Sequence, residues 1–160
     1  MARGTKVWMN GKILPVEEAR ISLFTHALHY GTGAFEGIRA YKQKRGGGAV
    51  INFGSISWHL GLEDLVLYET AKAGIEGMTR ALARELGPDD IRVTCVVPGN
   101  VKTKRQEKWY TPEGEAQIVA AQCLKGRILP ENVASLVLFL ASDDASLCTG
   151  HEYWIDAGWR

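Results

Sequence analysis

Apolar and polar positions alternate on two different periods along this chain, and the change of period divides it. In VWMNGKILP (7–15) apolar residues stand on both sides of Asn10-Gly11, the dipeptide best suited to the two positive-φ positions of a type I′ turn, which predicts a β-hairpin. Thr25 is placed to cap a short helix over His26 to Phe35, and GIRAY (37–41) reads as a strand. From Ala49 the pattern alternates strand and helix. AVINF (49–53) is a short apolar strand leading into a Gly/Ser turn. Over 67–86, Ala71, Ile75, Met78 and Leu82 repeat at helical spacing, and Gly87-Pro88 offers a C-terminal cap and a stop. IRVTCVV (91–97) is a β-branched strand halted by Pro98-Gly99. Helices follow near 113–124 and 131–141, the second with Pro130 by its first turn, and EYWID makes a last strand. This succession argues for an α/β fold, a parallel sheet covered by helices.

Composition narrows the function classes. The chain has 160 residues, 46% hydrophobic and 23% charged, the profile of one ordinary globular domain. It has no apolar run long enough for a bilayer and no apolar core of a secretory signal near Met1, so the expectation is a cytoplasmic protein with no membrane partner. Cys95, Cys123 and Cys148 are odd in number and far apart, and read as reduced core thiols. His26 and His29 have the spacing of metal ligands on a helix, but lack a third ligand, so no metal is expected. Residues 1–45 carry 8 Lys+Arg against 3 Asp+Glu, whereas 46–160 carry 11 against 15. The basic front is scattered except at Lys42, Lys44 and Arg45, the pattern of a solvated loop; no nucleic-acid partner is expected.

The chemistry concentrates around the helix at 67–86. Tyr68 and Lys72 are four apart and share a face. Alone, such a pair is most simply a surface contact. Ser55 changes the reading, because it lies thirteen residues before Tyr68 in the turn after a strand, where its hydroxyl can meet the top of the helix. An ammonium about 4 Å from a phenolate in a partly buried site interacts by roughly 4 kcal/mol, which brings the phenolate within reach of neutral pH. That group can take the proton from an alcohol while Ser55 hydrogen-bonds the developing carbonyl, the proton chemistry of hydride transfer to a nicotinamide.

The set Ser55, Tyr68 and Lys72, followed by RVTCVVPGNVKT and closing with CTGHEYWIDAG, resembles the second half of a classical short-chain dehydrogenase/reductase over about residues 46–160. The resemblance implies a partial Rossmann-like parallel sheet with flanking helices, here preceded by the N-terminal hairpin and short helix. It implies that Ser55 holds the substrate oxygen, that Tyr68 is the acid/base, and that Lys72 supports Tyr68 and binds the nicotinamide ribose. Carried over position by position, Pro98 and Gly99 line the nicotinamide, and Val101 and Thr103 reach its carboxamide and phosphate. INFGSISWHLG, AAQCL and CTGHEYWIDAGW are similar to sugar dehydrogenases of the D-xylose type, which oxidise an aldose at C1, so the implied substrate is a small-molecule alcohol or sugar.

What such an enzyme also needs is a glycine-rich turn between a strand and a helix, to hold the pyrophosphate. GTGAFEG (31–37) puts Glu36 at the third glycine's place, and Gly46 to Gly48 precede a strand. NAD or NADP binding is therefore expected to be feeble, and the acidic residue that would tell them apart is missing. The front supplies another resemblance: VWMNGKILPVEEARISLFTHALHYGTGAFEGIRAY is similar to the opening of branched-chain aminotransferases, class IV pyridoxal-phosphate enzymes. Tyr30, Phe35, Gly37 and Arg39 match its substrate-pocket segment, but that family's Schiff-base lysine and phosphate cup lie in sequence absent here, so pyridoxal phosphate and aminotransfer are not expected. The expectation is a chimera-like chain: an aminotransferase-like fragment over 1–45, a dehydrogenase half over 46–160 and a seam at 42–48. AVINF suits both sides, as the hairpin partner of GIRAY or as a central parallel strand. Two functions follow: an impaired oxidoreductase, or a non-catalytic fusion whose exposed sheet edge or C-terminal strand pairs with another copy.

Overall fold

The computed structural model describes residues 6–9, 12–15, 18, 39–42, 47–104, 106–108 and 110–159. The chain divides into two compact units, Met1–Gly33 and Ala34–Arg160. The first holds strands β1 (Lys6–Met9) and β2 (Lys12–Pro15), paired antiparallel from Lys6 opposite Pro15 to Met9 opposite Lys12. The expected hairpin forms. Its turn, Asn10-Gly11, lies outside the described residues, as do Thr25, the helix over His26 to Phe35, the pair His26 and His29, and Tyr30, Phe35 and Gly37.

The second unit is a four-stranded sheet in the order β3 (Arg39–Lys42), β4 (Gly48–Phe53), β5 (Ile91–Pro98), β6 (Glu152–Ile155). β4 is parallel to β5, and β5 to β6. β3 instead runs antiparallel to β4, from Arg39 opposite Ile51 to Lys42 opposite Gly48. The same β4 residues therefore serve a hairpin on one side and a parallel sheet on the other. Crossovers supply helices α1 (Ser57–Leu60), α2 (Val66–Leu86), α3 (Pro112–Ala121) and α4 (Pro130–Ala141). β5 is buried along almost its whole length, as a parallel strand covered on both faces should be. On one face Ile51, Val96 and Leu140 pack with Val133, Leu136 and Val137 of α4. On the other, Ile56, Cys95 and Val97 pack with Ile75 of α2 and with Trp159.

Three expectations are refined or corrected. Gly87 caps the helix as expected, but at φ −56° rather than in the left-handed region: the chain runs on into a 3₁₀ turn over Gly87–Asp89, and Asp90 takes the left-handed conformation at φ 59°. The helix continues one tighter turn because Pro88, near the start of that turn, needs no donor there. The apolar repeat is only part of the inward face of α2, with Ile75 packed against the core. Lys72, Glu76 and Thr79 are its buried residues, while Met78 is exposed. Each polar group is satisfied across the interface, which lets it lie inside: Lys72 donates to the Phe53 carbonyl at 2.8 Å, Glu76 accepts from Trp58 at 2.9 Å, and Thr79 accepts from the Asn52 amide at 2.9 Å. Finally, only Cys95 is a core thiol; Cys123 is exposed and Cys148 half-buried, all three being free. No helix among the described residues is long and apolar enough to cross a membrane.

Candidate functional site

The site is set by how β4 ends. Beyond Phe53 the ladder to β5 continues, with Gly54 N–H donating to Val96 O at 2.9 Å and Ile56 N–H to Pro98 O at 3.3 Å. Gly54 is required there, because a Cβ would run into the buried Glu76 carboxylate. Ser55 is thereby held at the C-terminal edge of the sheet, its Oγ 2.8 Å from Ser57 Oγ and accepting the Ser57 N–H at 3.2 Å.

α2 delivers the other two groups. Lys72 is 4% exposed, and its bond to Phe53 O ties the helix to the end of β4. Its ammonium stands 5.6 Å from the centre of the Tyr68 ring, one helical turn away and within cation–π range. Tyr68, half-buried, lines a cleft of about 230 Å³ together with Ser55, Gly99, Asn100, Gln106 and Trp159. Ser55 and Tyr68 thus face one space, with Lys72 directly beneath the ring.

The residues after β5 divide. Gly99 lines the cleft and donates to Ile155 O at 2.9 Å. Pro98 closes β5, Val101 bridges in parallel to Ile128, and Thr103 starts the 3₁₀ turn over Gln106–Lys108 by accepting the Gln106 N–H at 2.9 Å; none of these three borders the cleft. A polar network holds this loop. Arg127 donates to Asn100 Oδ1 at 2.7 Å, lies 5.2 Å over the Tyr110 ring and pairs with Glu115, which Lys102 approaches at 3.6 Å. The Arg127 hydrogen bond holds the Glu115 carboxyl below its usual range. Asn100, Gln106 and Trp159 were not singled out from the sequence, since neither periodicity nor spacing marks a loop residue that reaches a site only through the fold. Among the described residues no group of histidine, cysteine and carboxylate side chains could hold a metal.

The groups at this cleft suit the nicotinamide end of a dinucleotide. The cleft offers the Tyr68 phenol and the Ser55 hydroxyl, with the Lys72 ammonium buried against the phenol ring, groups suited to a nicotinamide ribose. Among the described residues, Gly47, in the left-handed region at φ 67°, packs against the Asp90 backbone and leads into a strand, so it offers no helix N-terminus.

A mainly parallel sheet, covered by helices and carrying a serine and a helix tyrosine at its C-terminal edge, defines an α/β protein of the Rossmann-like oxidoreductase class. Residues 9–160 match the family model described as Enoyl-(Acyl carrier protein) reductase, and the chain belongs to this family of short-chain dehydrogenases/reductases. It is 98% identical over 118 residues to D-xylose 1-dehydrogenase of Caulobacter vibrioides (strain NA1000 / CB15N), covering 74% of this chain and 48% of that protein. It is 38% identical over 114 residues to cyclohexanol dehydrogenase of Acinetobacter sp. (strain SE19), covering 71% and 44%. Among solved structures it is similar to 4-hydroxyisoleucine dehydrogenase complexed with NADH (TM-score 0.67, 30% identity, covering 70% of this chain and 46% of that one). It is also similar to 7α-hydroxysteroid dehydrogenase complexed with NADH and 7-oxo glycochenodeoxycholic acid (TM-score 0.68, 28% identity, 72% and 46%). The chain spans about half the length of the curated relatives it matches.

Proposed function

We propose that this chain carries the proton-handling half of an NAD(P)-dependent short-chain dehydrogenase acting on a sugar or other secondary alcohol, with a weakened hold on the nucleotide. The observation that carries the reading is the shared cleft: Ser55 and Tyr68 border one space and the Lys72 ammonium lies against the Tyr68 ring. In this reading Tyr68 takes the substrate hydroxyl proton at its phenolic oxygen, Ser55 Oγ hydrogen-bonds the same oxygen, and Lys72 positions the ring from below. Tyr68, Lys72, Pro98, Gly99, Val101 and Thr103 would hold the nicotinamide end. A bound nicotinamide supplies the hydride acceptor. The identity to the D-xylose enzyme supports an aldose as substrate, and we place the protein in the cytoplasm.

The test is dehydrogenation of D-xylose with NAD or NADP at millimolar concentration. Slow turnover is expected, and Tyr68→Phe should lower it by roughly 10²- to 10⁴-fold, the usual worth of a positioned acid/base. An unchanged NADH fluorescence at millimolar ligand, with no turnover, would sink this reading.

A second reading is favoured by β3. In it the chain is a fusion with an aminotransferase-like front over 1–45, whose strand completes a sheet that the dehydrogenase half over 46–160 leaves open. The antiparallel pairing of Arg39–Lys42 with Gly48–Ile51 supports it. Such a chain would fold and associate without turning over substrate.

A further inference from the structure

The turn after β4 holds a second serine that the proposed chemistry leaves idle. Ser57 opens α1 and is 6% exposed, whereas Ser55, two residues earlier, is half-buried; both border the cleft that Tyr68 lines. Two groups of Ser57 reach the same atom. Its backbone N–H donates to Ser55 Oγ at 3.2 Å, and its own Oγ lies 2.8 Å from that oxygen. Among the described residues, Ser55 Oγ is the one hydrogen-bond partner of Ser57 Oγ.

A distance between two hydroxyl oxygens does not say which one donates; the surroundings do. A hydroxyl has one proton and two acceptor lone pairs. If Ser55 donated to Ser57, the proton of the nearly closed-in Ser57 hydroxyl would have no acceptor among the described residues. A buried donor without a partner destabilises by more than a made bond stabilises. If Ser57 donates, its proton is satisfied, and the Ser57 N–H and O–H together fill both lone pairs of Ser55. Ser55 then has only its own proton free. Because Ser55 is the more exposed of the two, that proton has the cleft to point into.

We propose that Ser57 is a positioning residue whose hydroxyl donates to Ser55 Oγ and thereby turns the Ser55 proton into the cleft. The consequence for turnover rests on the dehydrogenase reading; the hydroxyl order does not. In that reading the alcohol gives its proton to Tyr68 and its hydride to a bound nicotinamide, and its oxygen becomes a carbonyl oxygen, which only accepts. A serine held as donor suits that oxygen throughout the step. A serine free to rotate would present a lone pair for part of the time and oppose it. A donor fixed beforehand needs no reorganisation as charge develops on the oxygen.

Carbon NMR of the full chain in mixed light and heavy water reads the donor order without turnover, because a slowly exchanging hydroxyl splits its β-carbon signal and a fast one averages it. The Ser57 β-carbon signal should be split and that of Ser55 single; the reverse, or both alike, would overturn the proposal. Ser57→Ala should let the Ser55 side chain sample several rotamers, read from its Hα–Hβ couplings. Ser57→Thr, which keeps the hydroxyl, should return it to one, and thermal melts verify that both variants fold. In turnover of D-xylose, Ser57→Ala should lower kcat about tenfold, the upper worth of one neutral hydrogen bond, with KM for the sugar little changed. Ser57→Thr should recover most of that loss. Equal losses in the two variants, or a loss confined to KM, would overturn the positioning role. A parent with the expected hydroxyl pattern and no turnover sinks the dehydrogenase reading and leaves the hydroxyl order standing.

Discussion

At Gly99 a methyl group has nowhere to go. A Cβ there would stand 2.8 Å from the Asp156 Cα and 2.9 Å from Ile128 Cδ1, and the first of these is backbone that cannot swing aside. The glycine is therefore demanded by the close approach of the loop to the turn after β6, whatever else it does for a ligand. Gly99→Ala should destabilise the chain by roughly 1–3 kcal/mol, the cost of overpacking. Gly126→Ala, with nothing within 4 Å, should stay within about 0.5 kcal/mol; urea unfolding of both checks the contrast. Tyr153 sets a pH limit by a different route. Burial, helped by the Cys148 thiol at its hydroxyl, pushes it from 10.0 up to about 12. The folded chain thus holds the phenolic proton more tightly than the unfolded one. Its contribution to stability is complete below pH 10 and is lost as pH rises towards about 12. Thermal melts across that window should fall steeply for the parent and less so for Tyr153→Phe, which has no proton to lose.

Elements show where the sequence pattern was enough and where it was not. The length of α2 follows from its 3.6-residue period, and β5 from its β-branched run, because both depend on local preference. Which face of α2 turns inward does not follow, since that depends on partners elsewhere: the Phe53 carbonyl for Lys72, the Trp58 and His59 rings for Glu76, the Asn52 amide for Thr79. The nearness of Ser55, Tyr68 and Lys72 was legible because the turn after a strand and one helical turn fix it. The aromatic contact of His59 with Trp154 was not, because the two meet only once β6 is in place. A similar long-range partner anchors α4. Arg92, buried in β5, donates to Leu140 O at 2.7 Å and Ser142 O at 3.1 Å, carbonyls that the end of the helix leaves without intrahelical donors. Its charge also opposes the negative end of the helix. Arg92→Met should cost roughly 1.5–3 kcal/mol. Hydrogen exchange should quicken first in the last turn of α4, whereas a loss spread evenly over the sheet would argue against the anchoring role.

At the scale of the whole chain the question is what covers the outer surfaces of the two helical layers. α2 leaves Val66 75% and Leu67 58% exposed, and α4 leaves Leu138 70% exposed beside Phe139. Large apolar side chains standing singly on a surface need no explanation, but pairs of them on the helices covering both sheet faces mark interaction surfaces. We expect the protein to associate with itself at micromolar concentration. Light scattering after size separation should report dimers or larger species, and the double substitution Val66→Glu and Leu138→Glu should return monomers with unchanged helix content, since both positions point to solvent. Monomers throughout the parent's concentration range would contradict this.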